Sequence, residues 1–210
     1  MVQTEKIIAR RLLDIKAVQL NTAQPYTWAS GWKSPIYCDN RKILSYPDTR
    51  KLIYESLQRL IEEKFQTVDV IAGVATGAIA HGVLVAEAMQ KPFVYVRSAP
   101  KSHGLENVIE GVLPPNARVV VVEDLISTGG SSLQAVEAIR KADAEVLGLT
   151  AIFSYNFAAA RRSFENADCV LYTLTNYTTL LEEALQCGYI KPSEVETLAR
   201  WREMPDKWQR

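Results

Sequence analysis

The chain has 210 residues, of which 48% are hydrophobic and 23% are charged, as in an ordinary water-soluble globular protein. Lysine plus arginine and aspartate plus glutamate each number 24, so the formal net charge is zero. Because proteins that coat nucleic acid normally have a basic excess, this balance argues against that class.

Neither a transmembrane nor a secretory segment is predicted. No apolar run approaches the roughly 20 residues that span a bilayer, and the first residues have a charged helical pattern without an apolar signal core. The three cysteines, Cys38, Cys169 and Cys187, show neither a CxxC pair nor a metal-ligand spacing. They are expected to be reduced thiols. We therefore expect a cytoplasmic protein without a membrane partner.

The first 45 residues do not follow a regular alternation of strands and helices. Isoleucine and leucine recur at helical spacing over residues 4–15, which predicts a helix. A loop or short hairpin is predicted over residues 26–37. Ser45 and Asp48 form a capping-box-like pair with Pro47 in the first turn, which predicts the start of the next helix. We expect residues 1–45 to form a small hood over the carboxyl edge of a sheet.

From residue 46 onward the chain alternates strand-like and helix-like segments. Strands are predicted near residues 68–73, 93–97, 118–123, 145–153 and 168–174. Later helices are predicted near residues 78–89, 131–142, 158–166, 178–186 and 193–202. This order predicts an α/β fold with an open, mainly parallel five-stranded sheet flanked by helices. We expect one domain over residues 1–210, with a hood (1–45) and an α/β core (46–210).

The most informative segment covers residues 119–132, with the sequence VVVVEDLISTGGSS. Four valines predict a strand buried on both faces, and Glu123 and Asp124 follow them. The glycine-bearing loop then enters a helical pattern, whose start offers N–H groups to a phosphate. Carboxylates would repel a phosphate, but they can accept hydrogen bonds from the hydroxyls of a ribose and can bind a Mg²⁺ ion nearby. A solvated acidic pair before an ordinary glycine turn is the alternative.

The whole string resembles the signature of the type I phosphoribosyltransferases, which bind phosphoribosyl pyrophosphate (PRPP). The resemblance implies that Glu123 and Asp124 hold the ribose and that residues 128–132 hold the 5′-phosphate. The residues of this segment that it assigns to PRPP are Glu123, Asp124, Leu125, Ile126, Ser127, Thr128, Gly129, Gly130 and Ser131.

The long connection over residues 98–111 is predicted to be a lid, because it has no helical pattern and starts at the same sheet edge as the acidic motif. Arg97, Lys101 and His103 place three potential cations there, and such cations stabilise charge on a departing pyrophosphate. Lys101 or His103 alone would also fit a solvated loop residue. Together they resemble the catalytic loop of the orotate phosphoribosyltransferases. That resemblance implies that Arg97, Lys101 and His103 bind PRPP and are catalytic, together with Asp124.

The segment 26–37 resembles the base-binding segment of the same family. The matching positions are Ser30, Gly31, Ser34, Pro35 and Tyr37. The resemblance implies that Ile36, Tyr37 and Ser127 bind orotate. The implied reaction joins orotate and PRPP into orotidine 5′-monophosphate and pyrophosphate, in UMP biosynthesis. It further implies Mg²⁺ bound mainly through PRPP or pyrophosphate, no dedicated metal ligands, and a homodimer whose lids serve the neighbouring sites.

Four positions depart from the family pattern, and each removes a cation that many members have. These positions are Ala29, Gly77, Ser98 and Asn156. The partner of the orotate carboxylate is therefore open, with Lys33 and Arg41 as candidates. His81 lies in an apolar helix start and is expected to be structural. Trp28 is expected to be a core or interface residue, with a place in the base pocket as the alternative.

Two other functions remain as alternatives at this stage. The first is a type I phosphoribosyltransferase that acts on a purine or on uracil, which the base-binding segment disfavours. The second is a PRPP-binding regulator without catalysis, which would be expected to carry a basic nucleic-acid-binding face. The zero net charge and the lid cations disfavour that reading.

Overall fold

A computed structural model describes residues 2–28, 30–98 and 108–208. The α-helices within them are α1 (Val2–Asp14), α2 (Pro47–Lys64), α3 (Ile79–Ala88), α4 (Gly130–Lys141), α5 (Ala158–Asn166), α6 (Tyr177–Gln186) and α7 (Pro192–Glu203). The strands are β1 (Val18–Leu20), β2 (Tyr26–Thr27), β3 (Lys33–Ser34), β4 (Ile36–Cys38), β5 (Val70–Val74), β6 (Phe93–Val96), β7 (Ile109–Glu110), β8 (Arg118–Ile126), β9 (Glu145–Ser154) and β10 (Leu171–Asn176). A 3₁₀ helix covers Asn40–Ser45.

The central sheet has six strands in the order β10-β9-β8-β5-β6-β7. Every neighbouring pair is parallel except β6 and β7, so the α/β class and the mainly parallel sheet are confirmed. The predicted count of five strands is wrong by one. The sixth strand, β7, lies within the connection predicted to lack secondary structure. Its Ile109 is buried and pairs with Val96, because the chain returns along the open edge of β6.

The strand order reverses between β5 and β8. The chain moves from β5 through α3 to β6 in one direction, and from β8 through β9 to β10 in the other. Right-handed crossovers in opposite directions place their helices on opposite faces of the sheet. A crevice therefore opens where the carboxyl ends of β5 and β8 meet, which is where open α/β sheets bind ligands.

The valine run forms the middle of β8, as predicted, and Val119, Val120, Val121 and Val122 are fully buried. The strand does not end at the acidic pair, however. It continues to Ile126, because β9 extends alongside it and pairs Leu125 with Phe153. The predicted end of this strand at residue 123 is therefore three residues too early, and both Glu123 and Asp124 belong to the strand.

The hood contains two small antiparallel pairs, β1 with β4 and β2 with β3. The predicted hairpin over residues 26–37 is thus confirmed. The predicted capping box is wrong, because Ser45 ends the 3₁₀ helix and Tyr46 is the N-cap of α2, without a side-chain hydrogen bond. Pro47 does lie in the first turn. Within residues 1–45, α1 packs on α6 and β10, while the 3₁₀ helix contacts β8.

Two further features concern the whole described chain. Its helices include none that is long and apolar enough to cross a membrane. Cys38, Cys169 and Cys187 are free thiols.

Candidate active site

Glu123 and Asp124 lie side by side at the carboxyl end of β8, but in different surroundings. Glu123 is only 4% exposed. Its Oε2 accepts a hydrogen bond from Ser132 Oγ at 2.8 Å, and its Oε1 accepts one from the Asp124 N–H at 3.0 Å. Burial, and then the neighbouring Asp124 carboxylate, raise the pKa of Glu123 well above its usual range. Glu123 therefore ties the end of β8 to the start of α4, and Asp124 is the more accessible acid.

Asp124 faces the loop that follows β5. A β-carbon built on Gly77 would lie 2.4 Å from Asp124 Oδ2, so the loop main chain lies directly against the carboxylate. Residues 75–77 are at least partly exposed, and the peptide bond between Ala75 and Thr76 is cis. Small residues let a main chain approach a ligand closely and present its N–H groups. This loop is therefore suited to binding an anion beside the Asp124 carboxylate.

The second loop, residues 127–131, leads from β8 into α4. Gly129 is its N-cap, with φ of +85°, and a β-carbon there would lie 2.7 Å from Phe164 Cε2. Both the left-handed backbone and the close approach of Phe164 require glycine. Thr128, Gly130 and Ser131 are exposed, and the first turn of α4 has no acidic residue. The helix start is therefore open to an anion such as a 5′-phosphate. Ser132, the next residue of α4, is buried and not open to an anion, because its hydroxyl donates to Glu123.

The two residues predicted to bind orotate from β4 differ in exposure. The side chain of Ile36 is fully buried, and its carbonyl oxygen accepts hydrogen bonds from Ser34 Oγ and Trp28 Nε1. Tyr37 is 38% exposed. Its ring lies 5.6 Å from the ring of Tyr26. Tyr37 is therefore accessible to a ligand, whereas the side chain of Ile36 belongs to the supporting core.

The two candidate partners of the orotate carboxylate are both exposed cations. Arg41 Nε donates to Asp39 Oδ1 at 2.7 Å, which lowers the pKa of Asp39. Lys33 Nζ donates to Thr27 Oγ1 at 2.8 Å, on the hairpin. The hydrogen bond with Asp39, and to a lesser extent the charge of Asp124, raise the pKa of Arg41.

An aromatic cluster holds the hairpin over the end of β9. Trp201 of α7 is fully buried, contacts Trp28 and Tyr155 at centroid distances of 5.6 Å each, and donates from Nε1 to the Lys33 carbonyl oxygen. Trp28 also lies 5.1 Å from Tyr155. Trp201 is therefore a core residue, and Trp28 packs between the hairpin and the core.

Only the base of the predicted lid belongs to the described residues. Arg97 Nη1 lies 3.4 Å from Glu110 Oε1, and the Arg97 N–H donates to the Val108 carbonyl oxygen at 2.8 Å. Lys101 and His103 lie outside the described residues. Arg97 follows β6, which is two strands from β8 in the sheet. At about 4.8 Å per strand, that is roughly 10 Å from the acidic pair.

This geometry can be compared with known proteins. Residues 39–177 match the family described as phosphoribosyl transferase domain. An orotate phosphoribosyltransferase of Porphyromonas gingivalis is 58% identical over 203 residues, which is 97% of either chain. Another, from Listeria monocytogenes, is 50% identical over 204 residues, which is 97% of this chain and 98% of that one. This chain belongs to the orotate phosphoribosyltransferase family.

Solved structures agree on the fold. The orotate phosphoribosyltransferase of Aeropyrum pernix superposes with a TM-score of 0.76 at 26% identity, covering 88% of this chain and 99% of that one. A UMP synthase of Leishmania donovani superposes with a TM-score of 0.79 at 24% identity, covering 94% of this chain and 42% of that one.

Within this phosphoribosyltransferase site, sequence reasoning missed two contacts. The first is the hydrogen bond from Ser132 to Glu123, since the family resemblance implies only a 5′-phosphate contact for Ser132. Asn40 donates from Nδ2 to the Asp124 carbonyl oxygen at 2.6 Å. No local pattern in the sequence distinguishes Asn40 from a surface asparagine, because its partner lies 84 residues away. His81 is fully buried, as expected of a structural residue.

Proposed function

We propose that this chain transfers the phosphoribosyl group of PRPP to orotate, giving orotidine 5′-monophosphate and pyrophosphate, and so serves UMP biosynthesis. The main support for the proposal is the position of Asp124. Its carboxylate lies between two loops that are suited to anions, residues 75–78 and residues 127–131. Identities of 48 to 58% with full-length relatives named orotate phosphoribosyltransferase support orotate as the base.

In the proposed reaction the chain acts by positioning and by electrostatics. Asp124 accepts hydrogen bonds from the ribose hydroxyls, and the start of α4 holds the 5′-phosphate through residues 127–131. Loop 75–78 receives the pyrophosphate, and Arg97, Lys101 and His103 stabilise the charge that builds on it as the bond to ribose C1 breaks. Ser127 and Tyr37 orient orotate so that its ring nitrogen attacks C1 from the opposite side.

We propose that Mg²⁺ is held mainly by the phosphate oxygens of PRPP and pyrophosphate. The donor set fits this arrangement, because Asp124 offers one accessible carboxylate, whereas Glu123 is buried and bonded to Ser132. Oxygen ligands of this kind suit Mg²⁺, which usually combines one or two carboxylates with substrate phosphates. When bound, the ion would neutralise charge on the leaving group.

We also propose a homodimer in which the lid of one subunit serves the site of the other. The family resemblance of the lid is the main support. A second support is that Val83 on α3 and Val112 after β7 are exposed, by 44% and 82%. Both lie on segments that flank β6, the strand from which the lid begins.

The proposed organisation is one domain over residues 1–210, with a cytoplasmic location. The aromatic contacts of α7 with the hairpin support one domain, because they join both ends of the chain to the core. The free cysteines suit a reducing compartment.

The decisive experiment follows the ultraviolet absorbance of orotate with PRPP and Mg²⁺, in parallel with adenine, hypoxanthine and uracil. We expect turnover with orotate only, and its loss in Asp124→Asn. Adenine or hypoxanthine turnover would instead place the chain with purine enzymes, and PRPP binding without turnover of any base would favour a regulator.

A further inference from the structure

Strand β8 extends further than its neighbour β5. Their pairing ends with Gly73 opposite Val122, after which β5 turns into loop 75–78. Beyond Val122, β9 still accompanies β8 on one side. On the other side no strand of the described chain continues. The main chain of Asp124 therefore needs a different partner there, since a buried carbonyl group without a hydrogen bond is costly.

The side chain of Asn40 supplies that partner. Its Nδ2 donates to the Asp124 carbonyl oxygen at 2.6 Å, and the residue is only 1% exposed. Asn40 begins the 3₁₀ helix that directly follows β4, so it is two residues from Cys38 and three from Tyr37. The side-chain amide of Asn40 thus links the main chain of Asp124 to the segment that is proposed to bind the base.

His81 lies at the same junction, from the third element. It sits in the first turn of α3, directly after loop 75–78, and is fully buried. Burial lowers its pKa, although the Asp124 carboxylate and the Asn40 main chain, the groups that act on it, favour the protonated form. His81 therefore belongs to the helix turn that directly follows the loop lying against Asp124.

Unpaired polar atoms concentrate at this junction. Among the described residues, four buried side-chain polar atoms make no hydrogen bond of regular geometry: Asn40 Oδ1, both ring nitrogens of His81, and Thr175 Oγ1 on β10. The Asn40 main chain does act on the His81 ring, so the histidine is directed toward the hood. A purely structural site would be better filled by apolar side chains, because unpaired buried polar groups destabilise a fold.

We propose that Asn40 and His81 are positioning residues, which set the direction of the Asp124 carboxylate toward the ribose of PRPP and hold the base-binding segment in register with it. This rests on the proposed function. Neither residue touches substrate in the proposal. Asn40 provides the hydrogen bond that a neighbouring strand would otherwise give to β8, and His81 supports Asn40 from the first turn of α3.

The test uses the full chain with Asn40→Asp, His81→Leu and His81→Gln. Asn40→Asp keeps the size of the side chain, but removes the donor. Thr175→Val is the matched control, since it removes a buried unpaired polar atom two strands from Asp124. Steady-state KM for PRPP, KM for orotate and kcat are measured, with calorimetric PRPP binding and the thermal unfolding midpoint.

We expect Asn40→Asp and His81→Leu to weaken PRPP binding by about tenfold or more and to raise the KM for orotate, beyond any change in Thr175→Val. His81→Gln should recover part of the loss, because it restores a polar group. Wild-type PRPP affinity in folded Asn40→Asp and His81→Leu would overturn the proposal, as would an equal loss in Thr175→Val. Should wild-type protein bind PRPP without using orotate, the proposed reaction fails, while the binding comparison still decides the positioning roles.

Discussion

The main chain of Gly77 lies against the carboxylate of Asp124, so closely that a β-carbon at position 77 would be 2.4 Å from Oδ2 and 2.6 Å from Oδ1. A β-carbon closer than 3.0 Å to these atoms would force either the Asp124 side chain or the loop main chain to move. Many members of the family have a lysine where this chain has Gly77. Glycine at position 77 removes a cation from loop 75–78. It also lets the Asp124 carboxylate approach the main chain of that loop.

Gly77→Ala should therefore impair PRPP binding without unfolding the protein. The added methyl group pushes the Asp124 carboxylate away from its position, so we expect the KM for PRPP to rise by about tenfold, or roughly 1.4 kcal/mol. Steady-state kinetics with varied PRPP would measure this, with the thermal midpoint as the control for folding. An unchanged KM would mean that Asp124 rearranges without cost to binding.

Adjacent serines at the start of α4 should separate stability from binding. Ser132→Ala removes the hydroxyl that donates to buried Glu123, so we expect a loss of about 1–3 kcal/mol in the free energy of unfolding. Ser131 is exposed at the proposed 5′-phosphate site, so Ser131→Ala should leave stability within about 0.5 kcal/mol and raise the KM for PRPP. Urea unfolding and PRPP kinetics of both variants provide the comparison. Equal effects of both variants on stability would contradict the assigned hydrogen bond.

His81 should make the fold sensitive to mild acid. Burial lowers its pKa from the usual 6.5, with the Asp124 carboxylate opposing the shift. The unfolded chain then binds a proton below about pH 6.5 that the folded chain does not accept, so stability falls as the pH drops. Between pH 7.5 and 5.5, the free energy of unfolding should decrease more in wild type than in His81→Gln. Parallel pH profiles of the two proteins would show that His81 titrates normally when folded.

Lys101 should be essential to turnover but not to folding. Lys101→Ala removes the cation that we propose to stabilise the leaving pyrophosphate, so we expect kcat to fall by roughly 100-fold or more. Mixed dimers of Lys101→Ala with Asp124→Asn should regain part of the activity, because one site would then receive an intact lid and an intact acid. Heterodimers shown to form, yet without activity, would argue against a lid shared between subunits.

Substitutions of Trp201 should change both the stability of the core and the KM for orotate, because Trp201 contacts the hairpin that is proposed to bind the base. Trp201→Ala removes a fully buried ring and its hydrogen bond to Lys33, so we expect a loss of about 3–5 kcal/mol. Trp201→Phe keeps most of the ring packing against Trp28 and loses the donor, so it should cost less and still raise the KM for orotate. Denaturant unfolding and orotate kinetics would measure both effects. If the KM for orotate in Trp201→Phe equals that of the wild type, then α7 does not influence orotate binding.

Several boundaries show where local patterns were sufficient. The helix predicted over residues 158–166 is found as Ala158–Asn166, and β9 was predicted to within one residue at its carboxyl end. These segments have strong periodicity and clear flanking residues, so local propensity and burial agree. The capping box at Ser45 failed because the 3₁₀ helix Asn40–Ser45 uses that residue as its own end. Strand β7 was missed because two residues carry no periodicity.

The sequence by itself determined the α/β alternation, the doubly buried strand of valines, and the combination of acids and glycines that identifies the PRPP donor. Those features are local, since they follow from the order of residues within about fifteen positions. Only the tertiary structure decided that Glu123 turns to Ser132, that Asp124 rests on Gly77, and that Asn40 completes the edge of β8. The last two depend on where β5 stops beside β8, and the lengths of two paired strands are set by the packing of the whole sheet.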